Sequence, residues 1–337
     1  MHFSVVARIL GLLIMVFSLT MVPPILVSLI FEDGHIRPFA IAFVLLLVVG
    51  TLVWAPFYKA RQELRVRDGF IITALFWLTL GLSGAVPLML SENPHLSVAD
   101  AIFESVSGLT TTGATVITGI DSLPKSILWY RQQLQWLGGM GIIVLAVAIL
   151  PMLGIGGMQL YRAEAPGPVK DSKLTPRITE TAKALWYIYL GLTVACALAY
   201  YLAGMDAFDA IGHSFATVAI GGFSTHDASI GYFDNPMIEL VAIVFMAISG
   251  INFALHYMAW HPKARQRGVY WRDSEFKFYV GLLTGASVFA VLYLVATDTY
   301  GPLEALRRGV FEVVSIATTT GFATADFAQW PLALPFG

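Results

Sequence analysis

The chain has 337 residues, of which 57% are hydrophobic and 12% charged, with a mean hydropathy of +0.73 and a formal net charge of −2. That balance excludes a soluble globular domain and describes an integral membrane protein, for which the lipid bilayer is the first partner and no nucleic-acid partner is expected. The single cysteine, Cys196, lies inside an apolar run, so neither a disulfide framework nor a thiolate metal site can be built, and it reads as packing.

In chain order, apolar runs cover about 9–30, 39–58, 70–90, 134–153, 184–204, 237–260 and 276–296. Each is long enough to cross a bilayer as a helix, which gives an expectation of seven spans. The first run follows Arg8, exceeds the length of a signal-peptide core and is not followed by a small-residue cleavage site; it is expected to stay as a helix kinked near Pro23-Pro24. Lys and Arg concentrate in the connections 58–68, 161–183 and 261–277, which hold 14 of the 20 basic residues. The positive-inside rule then places those loops and the N-terminus in the cytoplasm, with Ser172 inside and Ser229 outside.

The segments 91–133, 205–236 and 297–337 therefore begin outside. Each carries an apolar stretch too short to span: "ADAIFESVSGL", "AFDAIGHSFATVAI" and "LRRGVFEVVSIA". Stretches of that length read as re-entrant half-helices, and the non-helical chain after them survives at membrane depth only where protein or water satisfies it. Aligned without gaps, "DAIFESVSGLTTTGATV" from Asp100, "DAIGHSFATVAIGGFST" from Asp209 and "RGVFEVVSIATTTGFAT" from Arg308 bring Gly113, Gly222 and Gly321 into register. The repeating unit is span, half-helix, glycine-centred strand, span, with small residues after the first two ("WLGGMGI" at 136–142, "AISGINF" at 247–253).

A half-helix entering from outside aims its partially negative C-terminus at the membrane centre, and extended chain beyond it can turn carbonyl oxygens inward to replace a cation's hydration shell. Aligning carbonyls this way needs backbone angles costing an L-residue about 1–2 kcal/mol, which accounts for one glycine per repeat. The candidate ion ligands are Thr110, Thr111, Thr112 and Gly113; Ile220, Gly221 and Gly222; and Thr318, Thr319, Thr320 and Gly321. The alternative is that these small residues only permit close helix contact, a reading that three copies in register on one side of the bilayer disfavour.

"SGLTTTGATV", "AIGGFSTHDASI" and "SIATTTGFATADF", with "QWLGGMGIIVLAVAILP" and "LTPRITETAKALWYIYLG", resemble the TrkH family, the membrane subunits of bacterial Trk potassium uptake systems in the Trk/Ktr/HKT superfamily. The resemblance covers nearly the whole chain. It implies an all-α polytopic membrane protein with four span, pore half-helix and filter units around a pseudo-fourfold pore, and potassium as the transported ion. It also implies a homodimer in the bacterial inner membrane and a cytosolic nucleotide-binding regulatory subunit, TrkA. Mapped onto this chain, it gives an N-terminal helix pair (1–68), repeat 1 (69–160), repeat 2 (161–262) and an incomplete repeat 3 (263–337). Repeat 4 and the gate loop of repeat 3 have no counterpart in the sequence, which ends at Gly337.

Glu104, His213 and Glu312 each stand nine positions before a filter glycine. Ionisable groups at that depth are functional candidates, and bracing of the filter backbone is favoured here over direct ion contact. Asp206, Asp209, Asp227 and Asp234 lie in an external stretch without Lys or Arg, and read either as a means of concentrating cations at a mouth or as a solvated loop. His256 and His261 read as helix-end packing. Docking of a cytosolic partner on the basic loops rests on the resemblance alone. Two other functions compete with potassium uptake: a sodium-coupled or weakly selective cation permease, favoured by Ile220-Gly221 standing where the other repeats have Thr-Thr, and a membrane enzyme using His213 or His226 as a base. Because the titratable groups repeat symmetrically, a pore is the stronger expectation and no enzyme is expected.

Overall fold

A computed structural model describes residues 3–60, 66–139, 178–260, 268–331 and 334, and it is entirely helical apart from turns and extended connections. Among the described residues, five helices are long and apolar enough to cross a membrane, and a further bent pair makes a sixth candidate. The chain divides into two compact units. The first holds the described residues up to Thr110, those from Ala114 to Gly139 and the start of the helix near 178; the second holds Thr111–Gly113 and the described chain from Ala184 onward.

In the first unit, α1 (Phe3–Ser18) and α2 (Val22–Phe31) form one span interrupted by a 3-10 turn, Leu19–Met21. The break falls just before Pro23 and Pro24, which lack amide hydrogens and occupy the first turn of α2, where none is needed. Helix α3 (Ile36–Trp54) returns against α1 at a crossing of two glycines: a Cβ on Gly11 would lie 2.8 Å from the Gly50 carbonyl, and one on Gly50 2.8 Å from the Gly11 carbonyl. Asp33 ties the turn between them to the start of α6 (Lys125–Gly139). Its carboxylate accepts from Ser28 Oγ, from the His35 amide at 3.0 Å and from the Ser126 amide at 2.8 Å. Burial pushes the Asp33 carboxyl up, but these hydrogen bonds prevail and hold it below its ordinary value.

Helices α4 (Val66–Leu90), α5 (Val98–Leu109) and α6 form the first repeat. Hydropathy put a span at 134–153, most of which lies outside the described residues. The helix itself starts at Lys125, just after Pro124, and carries polar residues that are buried: Arg131, Gln132 and Gln135 are each fully inaccessible. A window that scores polarity cannot see a helix whose polar groups are buried inside protein.

In the second unit, α7 (Ile178–Ala203), α8 (Ala207–Val218) and α9 (Pro236–Ser249) repeat the pattern. The expected straight span at 237–260 is instead α9 and α10 (Phe253–Trp260), bent by 91°. The amide of Gly250 closes α9 on Met246 O at 2.9 Å, and Asn252 Oδ1 starts α10 by accepting from the Ala254 amide at 3.0 Å. Carbonyls at the end of α9 find side-chain partners: Tyr279 Oη donates to Ala247 O at 3.0 Å and His256 Nε2 lies 3.0 Å from Ile248 O. His256 is thus buried in the middle of α10 and not at a helix end of its own; it closes the end of α9, its other nitrogen 2.9 Å from Tyr270 Oη, while His261 lies outside the described residues.

After α11 (Val269–Arg272), α12 (Ser274–Ala296) and α13 (Pro302–Ala317) begin the third repeat, with Gly309 packed against Val291 and Leu294. The basic connections at 61–65, 161–177 and 261–267, and with them Ser172, lie outside the described residues.

Candidate functional site

The three short helices that precede the filter glycines, α5, α8 and α13, have 12, 12 and 16 residues, too few to cross a bilayer. Ser97 and Asp206 cap the first two by accepting from the amides of Asp100 and Asp209, residues that open the aligned repeats. At their C-terminal ends the chain adopts one backbone pattern three times. Thr111, Ile220 and Thr319, each two residues before its glycine, have φ of +53°, +49° and +63°; Gly113, Gly222 and Gly321 follow at +77°, +80° and +82°. Left-handed angles at β-branched residues are strained by roughly 1–3 kcal/mol each and persist only where the surroundings over-determine them.

All three glycine segments lie in the second unit, side by side. A Cβ on Gly113 would sit 2.2 Å from the Gly221 carbonyl oxygen, and one on Gly222 would sit 1.9 Å from the Thr320 carbonyl oxygen. Each of the first two glycines thus abuts the main-chain carbonyl of the next repeat. Beside Gly321, no described residue lies within 4 Å of the Cβ position, so among the described residues the succession of repeats has one open face. Among the described residues no cluster of three His, Cys, Asp or Glu forms a metal site, and the oxygen atoms that the glycine segments offer are those of backbone carbonyls and hydroxyls. Thr110 Oγ1 donates to Val106 O at 2.7 Å and Thr318 Oγ1 to Val314 O at 2.8 Å, committing those protons to the helix ends.

Behind each segment stands a different brace. In repeat 1, Glu104 accepts from Thr115 Oγ1 at 3.0 Å and from the Val116 amide at 3.2 Å, and pairs with Arg131 Nε at 2.8 Å with both side chains buried. In repeat 2, His213 Nε2 lies 2.9 Å from Ser224 Oγ, while Asp209 accepts from Thr225 Oγ1 at 2.7 Å and meets His226 Nε2 at 3.0 Å. In repeat 3, Glu312 Oε1 accepts from the Thr324 amide at 2.7 Å, from Thr324 Oγ1 at 3.0 Å and from the Ala325 amide at 3.1 Å; its buried Oε2 has no hydrogen-bond partner among the described residues. A second device recurs six residues before the glycine: Ser107 Oγ donates to Ala114 O and Ser315 Oγ to Phe322 O, both at 2.6 Å.

The chain matches the family profile described as "TrkH: Cation transport protein" over residues 35–336. The chain belongs to the TrkH family. It is 62% identical over 336 residues to the Trk system potassium uptake protein TrkH of Halomonas elongata, covering 100% of this chain and 69% of that relative. It is 44% identical to the Trk system potassium uptake protein TrkG of Escherichia coli, over 98% of this chain and 68% of the relative. Its structure superimposes on the crystal structure of the potassium transporter TrkH from Vibrio parahaemolyticus with a TM-score of 0.88 at 52% identity, over 100% of this chain and 69% of that one. These relatives are named as transporters, not as enzymes. Like them, this TrkH-family chain is a multi-pass membrane protein.

The structure gives several residues roles that the sequence reading did not. Asp206, Asp209 and Asp234 are not a loose acidic mouth: Asp206 caps α8, Asp209 is buried against Thr225 and His226, and Asp234 pairs with Arg307 Nη2 at 2.7 Å. Arg307 also grips Glu239 of α9 at 2.6 and 2.8 Å, a partner 68 residues away that no local motif signals. Arg131, 27 residues from Glu104, was likewise invisible to a search confined to the half-helices.

Proposed function

We propose that this chain conducts potassium ions into the cell through the ring of glycine-centred segments, with Thr110–Gly113, Ile220–Gly222 and Thr318–Gly321 as ligands and Glu104, His213 and Glu312 as braces. The observation that carries the proposal is the backbone pattern in triplicate, positive φ at the second residue before each glycine and at the glycine itself, with each of the first two glycines set against the next repeat's carbonyl. Close carbonyls with half-helix C-termini behind them suit a dehydrated monovalent cation. Closure beside Gly321 is assigned to a fourth glycine-centred segment, for which the longer relatives have room.

By analogy with the Trk systems of the named relatives, the working assembly is assigned to a homodimer in the bacterial inner membrane with its N-terminus cytoplasmic, regulated by the nucleotide-binding subunit TrkA. The test is growth at low potassium of a transport-deficient bacterium carrying the family-length protein, with and without TrkA, together with rubidium and sodium uptake into proteoliposomes. Rescue with rubidium favoured over sodium is expected for the family-length protein. Equal uptake of both ions would favour the weakly selective permease suggested by Ile220-Gly221.

A further inference from the structure

Beyond its glycine, the third filter segment is held by a neighbouring repeat. The short 3-10 turn Ser229–Phe233, which connects the second filter segment to α9, takes both backbone polar groups of Ala323: the Gly231 amide donates to Ala323 O at 3.0 Å, and the Ala323 amide donates to Ser229 Oγ at 3.2 Å. Contact is close enough that a Cβ on Gly231 would lie 3.3 Å from Thr324 Cα. Ser229 adopts a φ of +54°, a strained angle for a non-glycine residue, in the conformation that presents its hydroxyl to Ala323. The turn is itself anchored: Ile230 is fully buried, and Asp234 at its end pairs with Arg307, which also holds Glu239. The adjacent Arg308 donates to Thr324 O.

Ala323 is two residues from Gly321, whose left-handed backbone sets the direction of the filter carbonyls. We propose that Ser229 and Gly231 are specificity-determining positioning residues: the outer turn of repeat 2 clasps the outer end of the third filter segment and fixes the carbonyls of Thr320 and Gly321 without touching the ion. This inference rests on the potassium reading above and assigns part of the selectivity to residues outside the ligand segments. Coupling of this kind makes the geometry of one filter segment depend on the fold of the preceding repeat.

The decisive comparison uses the family-length protein with Ser229→Gly and Ser229→Asn. Glycine relieves the strained angle and deletes the acceptor; asparagine tolerates the angle and keeps a side-chain oxygen. If Ser229 served only the stability of its turn, Ser229→Gly would be neutral or stabilising. The clasp instead requires Ser229→Gly to lower the potassium-to-sodium uptake ratio by about fivefold, the worth of one hydrogen bond, and Ser229→Asn to restore most of it. Amide hydrogen exchange across residues 322–325, read by mass spectrometry, follows the clasp independently of transport and should quicken in Ser229→Gly. An unchanged ratio despite faster exchange overturns the selectivity role, and unchanged exchange overturns the clasp. Absence of potassium preference in the unsubstituted protein overturns the potassium reading instead, with the exchange result still deciding the clasp.

Discussion

Replacing Gly222 by alanine tests the filter at its tightest point. The added Cβ would lie 1.9 Å from the Thr320 carbonyl oxygen and 2.9 Å from its carbon, where real Cβ contacts are essentially never under 3.0 Å, so the two backbones must separate by at least 1.1 Å. The φ of +80° adds about 1–2 kcal/mol of strain for any L-residue with a side chain. The segment has two ways to respond: it keeps its angles and bears the strain, or it relaxes and turns the carbonyls of Gly221 and Thr320 off the axis. Each 1.4 kcal/mol of lost preference is tenfold, so a fall of roughly tenfold or more in the potassium-to-sodium uptake ratio is expected in proteoliposomes of the family-length protein. Gly113→Ser, whose Cβ falls 2.2 Å from the Gly221 oxygen, should behave alike, and so should Gly321→Ala once a fourth segment stands beside it. In residues 1–337 alone, where no described atom lies near the Gly321 Cβ position, Gly321→Ala should lower thermal stability less than Gly222→Ala. An unchanged ion ratio for Gly222→Ala removes Gly222 from the filter, and equal destabilisation at the two glycines refutes the open face.

Three further outcomes follow from the same geometry. Arg131→Met leaves the Glu104 carboxylate buried without its cation and should cost about 3–5 kcal/mol in a detergent melt, most of it recovered in the Glu104→Gln, Arg131→Met double variant; additive losses would show that the pair is not coupled. Asp33→Ala removes the acceptor that joins the Ser28 hydroxyl and the His35 and Ser126 amides, an expected loss of about 1–2 kcal/mol given its partial exposure. Because the folded Asp33 carboxyl lies below its ordinary value of 3.8, this contribution is present above that pH and disappears as pH falls through the lowered value, so the wild type and Asp33→Ala should converge in acid. For topology, Ala228→Cys, exposed in the loop after the second filter segment, should react with an impermeant thiol reagent from outside and Lys59→Cys should not; the native Cys196 is buried. The reverse labelling pattern would invert the protein.

What the sequence made legible was what repeats or persists over a local window. Twenty apolar residues in a row mark a span whatever they touch, and three glycines in register mark a common backbone event. The spans at 39–58, 70–90, 184–204 and 276–296 and the half-helices α5, α8 and α13 were readable on those grounds. The polar part of α6 was not, because Arg131, Gln132 and Gln135 score as solvent-seeking until their partners inside the protein are known. Nor was the 91° bend after Ser249: Gly250 and Asn252 permit it, but Tyr279, 32 residues from Ala247, helps hold it. The left-handed angles at Thr111, Ile220 and Thr319 run against expectation outright, since β-branching is the feature that ordinarily excludes that region.

Those three residues connect the strain to its supports. A strained angle at one position has a local cause, but the same angle at the same offset in three repeats of different sequence must be imposed by something common to them. The braces are not one device: a Glu104–Arg131 ion pair in the first repeat, His213 with Asp209 and His226 in the second, Glu312 on two backbone amides in the third. Each nevertheless fastens the chain two to four residues beyond the glycine to its own half-helix, pinning the outer end of a segment whose inner end is fixed by the helix terminus. With both ends fixed, extended chain of this length has few ways to run, and the left-handed pair is the way that turns carbonyls toward the neighbouring repeat. Symmetry is therefore kept in the backbone and relaxed in the side chains behind it, where a glutamate holds the outer end in the first and third repeats and histidine with aspartate holds it in the second.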